Sequence, residues 1–249
     1  MKKTIFLFIL GIGLGSCSKY FVVHDRQSKT IAITDSLPSS ELSQKIANYL
    51  NPLHDTLNAR MNGVLVQSSK RLSKGQPESE LGNLLSDMML ETAREKTGKN
   101  IDIALTNTGG IRAELPAGGI TLGNVYEVMP FDNEMVILTL SGANMQKLID
   151  YIAVRKDPQA GLKLIIEKAT NKVLEVSING QPFDISRNYM VVTSDYVANG
   201  GDKADFLKDR ITYEKMNLLL RDCYIDYFKK KGQKGEVINP KLDGRTKVQ

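Results

Sequence analysis

The chain has 249 residues, 41% of them hydrophobic and 24% charged, enough to bury a sizeable core in one large domain or two small ones. Its 33 Lys and Arg against 28 Asp and Glu leave a net charge of +5, too near balance to argue for nucleic acid as a partner. Two cysteines exclude a disulfide framework, and two histidines cannot furnish an imidazole-rich metal centre.

The first residues read as an address. Lys2 and Lys3 precede an apolar run from Ile5 to Leu14 that is too short to remain as a transmembrane helix, and Gly15 and Ser16 lead into Cys17. Leu14-Gly15-Ser16-Cys17 resembles a bacterial lipobox. Residues 1–17 are therefore expected to be a lipoprotein signal, with Cys17 lipidated and the lipid as the only membrane contact. The alternative is an ordinary secretory signal with a chance cysteine. The lipoprotein reading would place the protein in the cell envelope outside the cytoplasm, periplasmic or at the surface. Residues 18–249 are expected to form a single domain, with Cys223 a buried, inert thiol.

Tyr20-Phe21-Val22-Val23 and Ile31-Ala32-Ile33 are short strand candidates. Leu42, Ile46, Tyr49 and Leu50 recur at helical spacing and predict an amphipathic helix ending near Pro52. Gly63-Val64-Leu65-Val66 reads as strand. Leu81, Leu84, Leu85, Met88, Met89 and Thr92 mark a helix from Glu80, stopped by Gly98. The strand Ile101-Asp102-Ile103-Ala104-Leu105 runs into Thr106-Asn107-Thr108-Gly109-Gly110-Ile111-Arg112. A short helix, Leu122–Val128, is capped by Thr121 and closed by Pro130.

Glu134–Leu140 then reads as strand, and residues 142–154 as a helix with Met145, Leu148, Ile149 and Ile152 on one face. Residues 162–167 and 173–178 are strands, followed by the hairpin turn Asn179-Gly180. Residues 189–193 form the last clear strand, and the final helix is expected over about 217–230. Strands alternating with helices, with hairpins mixed in, predict an α/β or α+β class with a mixed sheet.

Two glycine loops follow strands, at Asn107–Arg112 and at Asn199-Gly200-Gly201-Asp202. Glycine pairs permit positive φ and let backbone N–H groups approach a ligand. An arginine can fork onto phosphate oxygens, and an aspartate can accept from both hydroxyls of a ribose. Taken singly, either loop reads equally as a tight turn with self-bonding Asn and Asp side chains. Phe131 and Tyr196 stand beside these loops, and their faces suit a flat heterocycle. Core burial is the usual fate of a phenylalanine, and a tyrosine at a strand end also packs under its loop.

Four motifs, in order, resemble the C-terminal domain of the 5′-nucleotidase and UDP-sugar hydrolase family: Glu78-Ser79-Glu80-Leu81-Gly82-Asn83, Thr106 to Arg112, Met129-Pro130-Phe131-Asp132-Asn133, and Asp195 to Asp202. The resemblance covers the chain from about residue 20 to its end. It implies a substrate-recognition domain of layered α/β/β/α architecture, with a nucleotide or nucleoside as ligand. Phe131 and Tyr196 would stack on the base, Asn107 would face it, Arg112 would lie on the ribose–phosphate side, and Asp202 would take the ribose hydroxyls. Gly109, Gly110, Gly200 and Gly201 would shape the loops, with Asn199 beside them. Family members often carry an arginine before the Glu-Ser motif where this chain has Pro77; Lys74 and Arg71 are candidates to replace it.

The resemblance also says what is missing. Family enzymes hydrolyse in a separate metallophosphatase domain whose two divalent metals activate water. Here His24 and His54 sit in no ligand motif, and there is no G-x-S-x-G elbow or phosphate-binding G-x-x-x-x-G-K-[ST] loop. No catalytic residue, metal or cofactor is expected in this chain, which is expected to be inactive alone. A dinuclear Mn, Mg or Zn centre is expected only in a partner, a separate metallophosphatase chain. The expected function is thus the recognition half of a split 5′-nucleotidase; the alternatives are a non-catalytic nucleoside-binding lipoprotein or an envelope interaction module.

Overall fold

The computed structural model describes residues 25–30 and 40–249. The proposed lipoprotein signal with Cys17, the strand candidates at 20–23 and 31–33, and His24 lie outside the described residues. The chain divides into two compact units, Met1–Tyr49 and Leu50–Gln249, with the boundary inside helix α1 (Glu41–Met61). That helix does not end at Pro52. The ring's fixed φ suits a helix, and Thr56 Oγ1 donates to the Pro52 carbonyl at 2.8 Å. None of its residues is buried, and Leu42, Ile46, Tyr49, Leu50, Leu53 and Leu57 are exposed.

The elements of the second unit follow in chain order. Strand β1 (Val64–Ser68) precedes α2 (Glu80–Thr97), whose N-cap Ser79 accepts from the Gly82 N–H and whose C-cap Gly98 is left-handed at φ 66°. Next come β2 (Ile103–Leu105), β3 (Gly118–Thr121), α3 (Leu122–Val128), β4 (Glu134–Leu140) and α4 (Gly142–Arg155). Thr121 and Asn124 close a capping box on α3. Then come β5 (Gln159–Ala160), β6 (Leu162–Ile166), β7 (Val173–Ile178), β8 (Gln181–Pro182), β9 (Tyr189–Ser194) and α5 (Asp195–Ala198). The chain closes with β10 (Thr212–Leu219), α6 (Leu220–Gln233), β11 (Val237–Ile238) and β12 (Thr246–Val248).

Three sheets form, ordered β11-β1-β3, β10-β4-β9-β2-β5 and β12-β6-β7-β8. The central, five-stranded sheet is mixed: β2 and β9 run parallel, while β4 is antiparallel to both β9 and β10. This is the α/β class with a mixed sheet that the alternation of strands and helices predicts.

The central sheet explains the layering. On β4, Met135 and Ile137 point into a core shared with α2, α6 and the three-stranded sheet, while Val136, Leu138 and Leu140 point into a second core with α4 and the four-stranded sheet. A strand buried on both faces must be apolar at nearly every position, which is why Met135-Val136-Ile137-Leu138 is a continuous run.

One boundary differs from the sequence expectation. Residues 217–219 belong to strand β10, and the last helix starts at Leu220. Strand β10 lies at the sheet edge, and its register against β4 shifts between Lys215 and Leu219, with Asn217 at φ 51°. An exposed, bulged edge strand carrying Glu214 and Lys215 has little period-2 contrast to reveal it.

Candidate nucleoside site

Topology brings three loops to one end of the central sheet. Strands β2 and β9 are parallel neighbours, so the segments leaving Leu105 and Ser194 emerge together. Strand β4 is antiparallel to β9, with Met135 opposite Ser194, so the segment entering β4 starts at that same end. The first loop makes a 3-10 turn at Thr108–Gly110; the second makes the short helix α5 and a 3-10 turn at Gly201–Lys203; the third carries Phe131. Asp195 Oδ1 accepts from the Glu134 N–H at 3.1 Å and the Tyr196 N–H at 2.8 Å, pinning the second loop to the start of β4.

Between these loops lies a cavity of about 370 Å³ lined by Asn107, Gly109, Gly110, Arg112, Phe131, Asn133, Tyr196 and Asp202. Its size falls in the usual small-molecule range of roughly 300–1,000 Å³. Phe131 is 41% and Tyr196 46% exposed, so neither ring is spent on the core. The Arg112 guanidinium donates to the Gly109 carbonyl at 3.3 Å.

Asp202 sits at the centre of the polar contacts. Its Oδ2 accepts from Asn107 Nδ2 at 2.7 Å and lies 3.3 Å from Arg155 Nη2, while Oδ1 accepts from the Tyr196 hydroxyl at 3.2 Å. The Asp202 backbone is left-handed at φ 54°. Its carbonyl accepts from the Tyr151 hydroxyl at 3.3 Å. Burial, then the nearby Asp157 carboxylate, pushes the Tyr151 phenol well above its ordinary range, so it remains a donor.

Asn199, Gly200 and Gly201 stand outside this lining. Asn199 Oδ1 accepts from Arg210 Nη2 at 3.2 Å. Gly200 takes φ 96°, a conformation that side chains rarely adopt, and a β-carbon on Gly201 would lie 2.5 Å from the Tyr196 ring. Those two glycines therefore shape the loop from behind. Arg71 and Lys74 are also elsewhere: Arg71 pairs with Glu114, and Lys74 Nζ donates to the Ile111 carbonyl at 3.1 Å.

Asn133, the last residue of the Met129–Asn133 motif, also lines the cavity. One contributor carries no local sequence mark. Arg221, nearly buried at the start of α6, donates to the Met129 and Phe131 carbonyls at 3.4 Å, pairs with Asp132 and lies 4.4 Å over the Tyr126 ring. It holds the segment that presents Phe131, yet it lies 90 residues away in sequence. Only its presence beside a partner loop in three dimensions reveals it.

The lining offers a single carboxylate, already bonded to Asn107, Tyr196 and Arg155, and no imidazole. Such donors do not fit a two-metal centre, which needs several carboxylate and imidazole ligands. Among the described residues there is no group of three or more His, Cys, Asp or Glu placed to share an ion, and no helix is long and apolar enough to cross a membrane.

Comparison with known proteins identifies the family of the chain. The profile of the family described as 5′-nucleotidase, C-terminal domain, matches residues 58–209. The chain is 31% identical over 223 residues to the trifunctional nucleotide phosphoesterase protein YfkN of Bacillus subtilis, covering 83% of this chain and 15% of that one. It is 30% identical over 189 residues to the cell wall protein Lmo0130 of Listeria monocytogenes, covering 68% and 23%. Among solved structures, a 5′-nucleotidase precursor from Thermus thermophilus superimposes with a TM-score of 0.69 at 29% identity, over 83% of this chain and 43% of that one. The chain thus spans less than half the length of these relatives. With the profile matching more than half of its residues, the chain belongs to the 5′-nucleotidase family, of which it carries the C-terminal domain.

Proposed function

We propose that this chain recognises a nucleotide or nucleoside on behalf of a split 5′-nucleotidase, completed by a separately encoded metallophosphatase that holds the two-metal centre. One observation carries the reading: two half-exposed rings, an arginine and a carboxylate from three separate loops meet in one cavity whose donors cannot hold the metals. Phe131 and Tyr196 stack on the base, each contact worth roughly 1–3 kcal/mol. Asp202 accepts from the ribose hydroxyls, and Arg112 meets the phosphate side. The partner's metals supply the activated water. We further propose export as a lipoprotein on Cys17, since a shared anchor in the envelope raises the effective concentration of the two chains. The Listeria relative, named a cell wall protein, supports that address.

The test is AMP hydrolysis by the full chain, with and without the metallophosphatase from the same envelope and Mn²⁺. Phosphate release is expected only when both are present; release by the chain alone would sink the division of labour. Calorimetry tests the pocket. Phe131→Ala and Tyr196→Ala are each expected to weaken adenosine binding about tenfold, equivalent to ~1.4 kcal/mol, with the unfolding temperature unchanged. A common loss of the fold would mark the rings as core.

A second reading, a nucleoside-binding lipoprotein that takes no part in hydrolysis, is favoured by the charge of the lining. Arg112 is its cation, and neither Arg71 nor Lys74 joins it. Adenosine binding equal to AMP binding, with no metallophosphatase retained from the envelope, would select this reading.

A further inference from the structure

Behind Asp202 lies a polar relay that no ligand contact requires. Asp157, with a side chain only 1% exposed, follows the end of α4. Its Oδ1 accepts from both the N–H and the hydroxyl of Thr108, at 3.0 and 2.9 Å, at the first residue of the turn in the Asn107 loop. Its Oδ2 accepts from Arg155 Nε at 2.7 Å. The same guanidinium reaches Asp202 Oδ2 at 3.3 Å and lies 5.5 Å from the centre of the Tyr151 ring. Arg155 is therefore the shared counterion of two carboxylates, one buried and one facing the cavity.

We propose that Arg155, backed by Asp157, is a positioning residue that fixes the Asp202 carboxylate for the two ribose hydroxyls and so sets selectivity for ribonucleosides over nucleosides lacking those hydroxyls. The proposal rests on the nucleoside reading above. The physical argument is one of lone pairs. A carboxylate offers about four acceptor positions. Arg155 and Asn107 share Oδ2, and the Tyr196 hydroxyl takes one position on Oδ1. One position on Oδ1 remains, and a ribose hydroxyl that displaces the Tyr196 hydroxyl takes a second, both in an orientation set by a planar, forked donor. Remove the guanidinium and two carboxylates are left without a common cation. Asp202, on a left-handed backbone in a loop, is then the one free to swing. The relay also joins the two glycine loops, because Thr108 belongs to one and Asp202 to the other.

The test is calorimetry of the full chain with adenosine and with 2′,3′-dideoxyadenosine, which has the base but not the hydroxyls. Losing an oriented, charge-assisted acceptor is expected to weaken adenosine about tenfold in Arg155→Met and in Asp202→Ala, with dideoxyadenosine changed by less than about twofold. Arg155→Lys, which keeps the charge without the fork, is expected to recover part of the loss. Adenosine binding that depends on Asp202 but not on Arg155 would overturn the positioning role alone. Equal weakening of both nucleosides by Arg155→Met would mark Arg155 as structural support and overturn it too. A wild-type chain that binds neither nucleoside, or binds both equally and is indifferent to Asp202→Ala, would overturn the ribose reading itself.

Discussion

A missing methyl group decides where Tyr196 can lie. Its ring occupies the space where the β-carbon of Gly201 would stand, 2.5 Å from the ring atoms, and its hydroxyl then reaches Asp202. Gly201→Ala must push the ring away from that seat. The change also sets the β-carbon 2.6 Å from the Tyr196 backbone carbonyl, which cannot swing aside, so it is expected to weaken adenosine binding about tenfold and to cost the fold about 1–3 kcal/mol. Calorimetry beside thermal unfolding checks both halves. The glycine pair was legible in the sequence as a loop needing unusual backbone, and Gly200 takes it. That Gly201 serves a ring five residues earlier was not legible, because only the folded turn brings them together. Asn199 shows the same limit: its carbonyl is taken by Arg210, eleven residues on and past two 3-10 turns.

At the scale of elements, α6 governs a cavity that it does not line. Its second residue, Arg221, satisfies the carbonyls of Met129 and Phe131 and sits on Tyr126. Arg221→Met keeps the stem but strips the donor from the buried Met129 carbonyl, at a cost of roughly 1–3 kcal/mol, and from the part-buried Phe131 carbonyl at less. Lower stability in urea is expected together with weaker adenosine binding, since Phe131 rides on the loosened segment; unchanged stability would show that the carbonyls find other partners. The helices α2, α3 and α4 were readable from their apolar spacing and caps, and β9 from its Val191-Val192-Thr193 run; β4 read as an alternating strand, whereas it is buried on both faces. Strand β10 was not: half of it faces solvent and a bulge breaks its alternation, so its last residues passed for the start of a helix. Helix α1 outran its proline because a lone proline removes one backbone bond without closing the helical path.

For the whole molecule, the two cores on opposite sides of one sheet make unfolding a shared event, and Cys223 reports on it. Burial pushes its thiol from the usual 9 up to about 12. The unfolded chain therefore loses this proton before the folded one does. The contribution is fully present below pH 9 and is lost as pH rises from about 9 to about 12. Stability measured in urea is expected to decline across that window, by less in Cys223→Ala, and Cys223 in the native protein at pH 8 is expected to resist thiol reagents until denaturant is added. Rapid labelling of Cys223 in the native chain would contradict the sealed position of that side chain.

The two-sided burial of β4 has a consequence for descent. Its neighbouring side chains serve opposite cores, so gaining or losing one residue would send every apolar group of that strand to the wrong side and tilt the segment carrying Phe131. Length can drift only where no such parity is kept, as at the hairpin around Asn179-Gly180, whose residues do not line the cavity. Kin of this protein should therefore differ by substitution near the pocket and by insertion at its remote turns.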